Sequence, residues 1–71
     1  GGDLAAQMAT ILGLKRDATD AQIQTAYTAF VADLNAKGDA NDKILRKYYD
    51  GLLKAIGMIK EAYEGAKEAV Q

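Results

Sequence analysis

The feature that most constrains the fold is an apolar repeat in the second half of the chain. Its members are separated by 4, 3, 4, 3, 4 and 3 positions: Leu45, Tyr49, Leu52, Ile56, Ile59, Tyr63 and Ala66. This spacing places apolar side chains on one face of an α-helix. Because such a face must be buried against other elements, and because the 71 residues include no proline, the sequence predicts an all-α domain.

Two shorter helices are predicted before this repeat. The first covers about residues 3–12, with an apolar stripe formed by Leu4, Met8, Ile11 and Leu12. Gly13 is predicted to supply its left-handed C-terminal cap, and Leu14 to fold back onto the helix.

The second helix has a clear start signal. Thr19 and Gln22 have the spacing of a capping box, and Asp20 suits the positive end of the helix dipole. We expect this helix to continue to about Leu34, with one apolar face: Ile23, Ala26, Tyr27, Phe30, Val31 and Leu34.

The third helix is predicted to begin after Asp39 or Asn41, either of which can act as its cap. Three glycines interrupt it, and each costs about 1 kcal/mol relative to alanine. We expect close packing at Gly51 or Gly57, and a break near Gly65 that would leave a short fourth helix or a frayed end.

The predicted architecture is a small bundle. A connection of about six residues between the second and third helices favours an antiparallel hairpin, and the short first helix should pack across it. Residues 1–2 resemble a remnant of cloning, so we expect residues 3–71 to form one domain of a larger protein.

Composition excludes several classes of function. The chain has no Cys and no His, and its net charge is −1. The usual metal sites, thiol nucleophiles and Ser/His/Asp triads are therefore excluded, and a phosphate backbone is not expected as the main partner. We expect a non-enzymatic, cytoplasmic chain without a membrane span, cofactor or small-molecule ligand.

Several residues are candidates for partner binding on the third helix. A basic stripe could meet an acidic partner or a phosphate, although such stripes are usually only solvated: Lys43, Arg46, Lys47, Lys54 and Lys60. Tyr48 cannot face the core together with Tyr49, because adjacent helical residues diverge by about 100°. Tyr48 is therefore a candidate interface anchor, although isolated exposed aromatics are common, whereas Leu53 and Met58 are expected to flank the core in preference to lining a partner groove.

Two segments resemble the J domain, the chaperone-recruiting module of DnaJ-type proteins. Residues 11–27, ILGLKRDATDAQIQTAY, are similar to the opening of that family's first helical hairpin. Residues 59–64, IKEAYE, resemble a signature late in its third helix. The resemblance implies a J-like bundle, with a third helix lengthened by about seven residues, or two turns.

The resemblance also implies a missing active motif. The family's His-Pro-Asp tripeptide falls on Asn35, Ala36 and Lys37, and none of the three residues is kept. The stretch 17–36 lacks the Lys and Arg residues with which the family meets its heat-shock ATPase. We interpret these residues as a degenerate loop, or as a helix C-terminus that Gly38 caps and Lys37 complements.

The leading hypothesis is therefore a degenerate J-like domain. Such a domain would act as a protein–protein interaction module through its second and third helices and would not stimulate the seventy-kilodalton chaperone. The alternative is a binder of nucleic acid or another anionic surface through the basic side of the third helix.

Overall fold

The computed structural model describes residues 2–38 and 42–70, and these residues form three helices with no strand. The helices are α1 (Gly2–Ile11), α2 (Asp20–Gly38) and α3 (Lys43–Val70). The side chain of Tyr63, near the end of α3, bonds to Asp20, at the start of α2. The two helices are therefore antiparallel, as predicted, and α1 packs against both.

The end of α1 is fixed by local hydrogen bonds. Gly13 has a φ of 77°, its N–H bonds to the carbonyl of Thr10, and the N–H of Leu14 bonds to the carbonyl of Ala9 at 2.7 Å. This pair of bonds is a Schellman motif, and it confirms the predicted glycine cap. Leu14 packs against the core, so the cap also directs the chain back towards α2.

The capping box of α2 is confirmed. The N–H of Thr19 donates to Oε1 of Gln22 at 2.9 Å, and the N–H of Gln22 donates to Oγ1 of Thr19 at 3.2 Å.

The predicted end of α2 near Leu34 was wrong, because α2 continues to Gly38. Leu34 and Gly38 are both buried, so an unbroken helix keeps this last turn packed against the rest of the protein.

Asp42 caps α3, since its Oδ1 accepts hydrogen bonds from the N–H groups of Ile44 at 2.9 Å and Leu45 at 3.2 Å. The cap predicted from the sequence was Asp39 or Asn41 in place of Asp42, and both Asp39 and Asn41 lie outside the described residues.

Two predictions about the glycines of α3 were wrong. The helix is continuous for 28 residues, with no break near Gly65 and no fourth helix in the described chain. A Cβ built on Gly51, Gly57 or Gly65 would meet nothing within 4 Å, so none of these glycines marks a close approach within the monomer. Helix propensity in the long runs of good helix formers outweighs the local cost of each glycine.

The core lies at one end of the α2–α3 hairpin. Its buried cluster comes from all three helices and consists of Met8, Ala9, Ile23, Ile56 and Tyr63. With ten residues, α1 is about 15 Å long, whereas α3 is about 42 Å. Since α1 reaches only part of α3, Leu45 at the far end of the predicted apolar repeat remains 41% exposed.

Candidate functional site

The position of the degenerate tripeptide is helical. Asn35, Ala36 and Lys37 are exposed residues in the last turn of α2, so their description as a loop was wrong. Nζ of Lys37 lies 2.8 Å from Oδ2 of Asp33, and this contact raises the pKa of Lys37. Lys37 lies in the last turn of α2, where its positive charge complements the helix dipole. This position is the one required if residues 35–37 form a helix C-terminus.

Gly38 ends α2 without adopting the left-handed conformation expected of a glycine cap, since Gly13 is the positive-φ glycine of the described chain. It packs instead against the side chain of Arg46, and an added Cβ at Gly38 would lie 2.9 Å from Nη1. Arg46 also pairs with Asp50, whose Oδ1 is 3.2 Å from Nε. Arg46 therefore helps to join the two helices at the end of the hairpin that lacks α1.

The predicted basic stripe is divided by the fold. Lys43, Lys47 and Lys54 are exposed and share the side of α3 that points away from α2. Lys60 turns towards α2, where its Nζ lies 4.8 Å from the centroid of the Tyr27 ring. The three outward lysines therefore remain together as a candidate binding surface, whereas Arg46 and Lys60 have structural contacts.

Tyr48 is exposed, as its spacing from Tyr49 predicts. It is 60% exposed, and its ring packs edge-to-face on that of Tyr49, with centroids 5.3 Å apart. Leu53 is half-buried, but the expectation that Met58 flanks the core was wrong, because Met58 is 66% exposed. Ile44, which the sequence analysis did not single out, is 82% exposed.

These exposed apolar residues belong to a second helical repeat. Each of its first seven members directly precedes one residue of the apolar repeat from Leu45 to Ala66, which we call the inner repeat. The intervals between its members are again 4, 3, 4, 3, 4, 3 and 4 positions. We call this row the outer stripe, and it consists of Ile44, Tyr48, Gly51, Ala55, Met58, Ala62, Gly65 and Ala69. All eight residues are exposed. The signal was present in the sequence, but the inner repeat, which contains larger apolar residues, masks it.

At the end of the α2–α3 hairpin away from Gly38 and Arg46, a polar cluster joins the two helices. Oδ1 of Asp20 accepts hydrogen bonds of 2.7 Å from the Tyr63 hydroxyl and from Nζ of Lys67. Glu64 accepts a hydrogen bond of 2.6 Å from Nε2 of Gln24, and its two oxygens lie 3.2 Å and 3.3 Å from Lys60 and Lys67.

The electrostatics of this cluster follow from its contacts. The hydrogen bond from Lys67, supported by that from Tyr63, lowers the pKa of Asp20 to about 2. Burial, together with the bond to Asp20, raises the pKa of Tyr63. The same contacts favour an ionised Asp20 and a neutral Tyr63. We call this cluster the clamp, because it joins α2 to α3. Oδ1 of Asp20 and both carboxylate oxygens of Glu64 accept from, or pair with, groups of α2 and α3.

No family model matches the chain, and neither the curated proteins nor the solved structures contain a significant match to it. None of the helices, in the part of the chain that the structure describes, has both the length and the apolar character needed to cross a bilayer. The fold and site define a three-helix bundle whose longest helix has an exposed apolar face.

Proposed function

We propose that this protein is a non-catalytic protein–protein interaction module that binds its partner through the outer stripe of α3. The observation that carries the proposal is the exposure of Ile44, Tyr48 and Met58 on one face of the same helix. Contiguous exposed apolar surface is a mark of interaction sites, since its contact with water is unfavourable.

The chemistry of this face favours a protein ligand. Tyr48 provides a large apolar ring with a polar tip, and Met58 provides a flexible side chain that adapts to a partner's surface. Gly51 and Gly65 have open space above them, so a second helix can approach the backbone of α3 closely there. An extended face of this shape suits helix-on-helix recognition.

The resemblance to a J domain is part of this proposal. It rests on the sequence of residues 11–27 and 59–64, and the antiparallel hairpin of α2 and α3 is compatible with it. At Asn35, Ala36 and Lys37 the chain has neither the tripeptide nor a loop, and we expect no stimulation of a seventy-kilodalton heat-shock ATPase. A rise in the steady-state ATPase rate on adding this protein would overturn that part of the proposal.

Photo-crosslinking tests the interaction surface. A photoreactive amino acid replaces Ala55, in the middle of the outer stripe, and in a second variant it replaces Ala32, an exposed residue of α2. Both variants are irradiated alone and in lysate of the source cells. We expect protein adducts from position 55 that are absent from position 32. If neither preparation yields a protein adduct at position 55, the proposed function is wrong.

Binding to an anionic surface is the second candidate, and one observation favours it. Lys43, Lys47 and Lys54 are exposed on one side of α3, and none of them forms an ion pair with a described residue. If this side binds nucleic acid, affinity for a short duplex will fall steeply as salt rises, and K43E/K47E/K54E will abolish it. Affinity that is unchanged by salt or by charge reversal contradicts this candidate.

A further inference from the structure

The solvent side of the outer stripe has an ordered pattern of charge. Four charged residues, spaced seven apart, directly precede members of the stripe: Lys47, Lys54, Glu61 and Glu68. All four are exposed, and none forms an ion pair within the described part of the monomer. In coiled-coil terms the stripe occupies the a and d positions and these residues occupy the g positions, which set partner choice and orientation.

The two halves of this row have opposite charge. The basic residues lie in the N-terminal half of α3 and the acidic residues in its C-terminal half. The interval between Lys47 and Lys54 equals that between Glu61 and Glu68. A second α3 running in the opposite direction therefore brings both lysines beside glutamates in one alignment of the two helices. Lys47 then faces Glu68 of the other copy, and Lys54 faces Glu61.

From this self-complementary row we infer that the partner of the outer stripe is a second copy of the chain, with the two α3 helices packed antiparallel about a two-fold axis. The inference rests on the proposed function, since it uses the same surface, and it names the ligand of that surface. A two-fold interface uses the same patch on both subunits, so each ion pair occurs twice.

The sizes of the stripe residues fit the same register. Each pair of stripe residues that face one another across the two copies forms one layer of the interface. Three kinds of layer pair a large residue with a small one: Ile44 with Ala69, Tyr48 with Gly65, and Met58 with Ala55. The remaining layer pairs Gly51 with Ala62, two small residues. Alternation of large and small residues across facing positions lets two helices interdigitate without voids or overlap. The charge row and the size pattern therefore give one alignment independently.

The antiparallel direction also matches the ends of the monomer. The core lies beside the C-terminal half of α3, and its buried cluster includes no described residue of α3 before Ile56. In the inferred dimer, the thin end of each hairpin, where Leu45 is 41% exposed, lies beside the thick end of the other copy. In a parallel pair, each g residue would face an apolar e residue of the other copy, as Lys47 would face Leu52, and both thin ends would lie together.

Charge exchange tests the inference. Variant K47E/K54E has four acidic residues in the row, variant E61K/E68K has four basic residues, and the fourfold variant K47E/K54E/E61K/E68K has the original pattern inverted. All changed side chains are exposed, and circular dichroism verifies that each variant is folded. Sedimentation equilibrium over a range of concentrations measures the dimer dissociation constant, with Gly57→Ala as a control outside the row and the stripe.

We expect the wild type, the Gly57→Ala control and the fourfold variant to dimerise with similar affinity. Each double variant should dimerise at least about tenfold more weakly, because like charges replace the four ion pairs. An equimolar mixture of the two double variants should form heterodimers with restored affinity.

The inference is overturned if the wild type remains monomeric at millimolar concentration, or if the double variants dimerise as tightly as the wild type. A monomeric wild type that still crosslinks through position 55 to a different protein would overturn self-association and leave the interaction function standing. A chain without any adduct at position 55 would overturn both.

Discussion

The hydroxyl of Tyr63 donates a hydrogen bond of 2.7 Å to Oδ1 of Asp20, 43 positions earlier in the chain. Tyr63 is only 4% exposed, so its ring belongs to the core while its polar tip reaches the start of α2. A single side chain therefore contributes to the apolar packing and to the polar clamp that keeps α2 and α3 antiparallel.

Replacing Tyr63 with phenylalanine separates these two contributions. We expect Tyr63→Phe to lower the free energy of unfolding by about 1 kcal/mol, because the ring stays packed and one hydrogen bond is lost. Tyr63→Ala removes the ring as well and should cost about 3–5 kcal/mol. Urea denaturation measures both variants, and a phenylalanine variant as stable as the wild type would show that the hydroxyl does not contribute.

Acid should weaken the clamp. The pKa of Asp20 is lowered from 3.8 to about 2 in the folded protein. As the pH falls, this carboxylate is therefore protonated in the unfolded chain before it is protonated in the folded protein. The stability that this group provides is present above about pH 4 and is lost as the pH falls towards 2. The pKa of Glu64 is lowered by its hydrogen bonds from Gln24, Lys60 and Lys67, and it acts in the same direction.

Thermal denaturation between pH 2 and pH 6 measures this effect. We expect Asp20→Asn to have a shallower dependence of Tm on pH than the wild type. Asp17→Asn, which changes an exposed carboxylate in the loop before α2, is the matched control and should leave the slope unchanged. If the slopes of all three proteins coincide, Asp20 is not the source of the acid sensitivity.

Glycine-to-alanine changes should have opposite signs at two positions. Gly57 is helical with open space around its missing Cβ, so Gly57→Ala should raise the free energy of unfolding by about 0.5–1 kcal/mol. Gly13 has a φ of 77°, so Gly13→Ala should lower it by about 1–2 kcal/mol. Chemical denaturation compares the two, and a stabilising effect at Gly13 would contradict the role of its backbone conformation.

Loss of the capping box should destabilise α2. Thr19→Ala removes the acceptor for the N–H of Gln22, and we expect a cost of about 1 kcal/mol in the free energy of unfolding. Thr19→Ser keeps a hydroxyl at the same place and is expected to retain most of the wild-type stability. An alanine variant as stable as the serine variant would indicate that water replaces the cap without cost.

Local interactions explain what could be predicted from the sequence. The Thr19–Gln22 box and the Gly13 cap act between residues at most five positions apart, so their spacing in the chain is sufficient to locate them. The apolar repeat of α3 similarly defines a helix face before any partner is known. The all-α class and the antiparallel hairpin follow from these signals and a short connection.

Long-range packing decided the remainder. The bond between Asp20 and Tyr63 depends on which turns of two helices meet, and helical periodicity does not specify this. The end of α2 moved from Leu34 to Gly38 because burial of its last turn favours continued helix over a local stop. For the candidate site, α3 carries two apolar rows one position apart, and its neighbours determine which row is buried. Ile56, Ile59 and Tyr63 of the inner repeat pack in the core, while the outer stripe remains in solvent because the described part of the chain has no further helix to cover it.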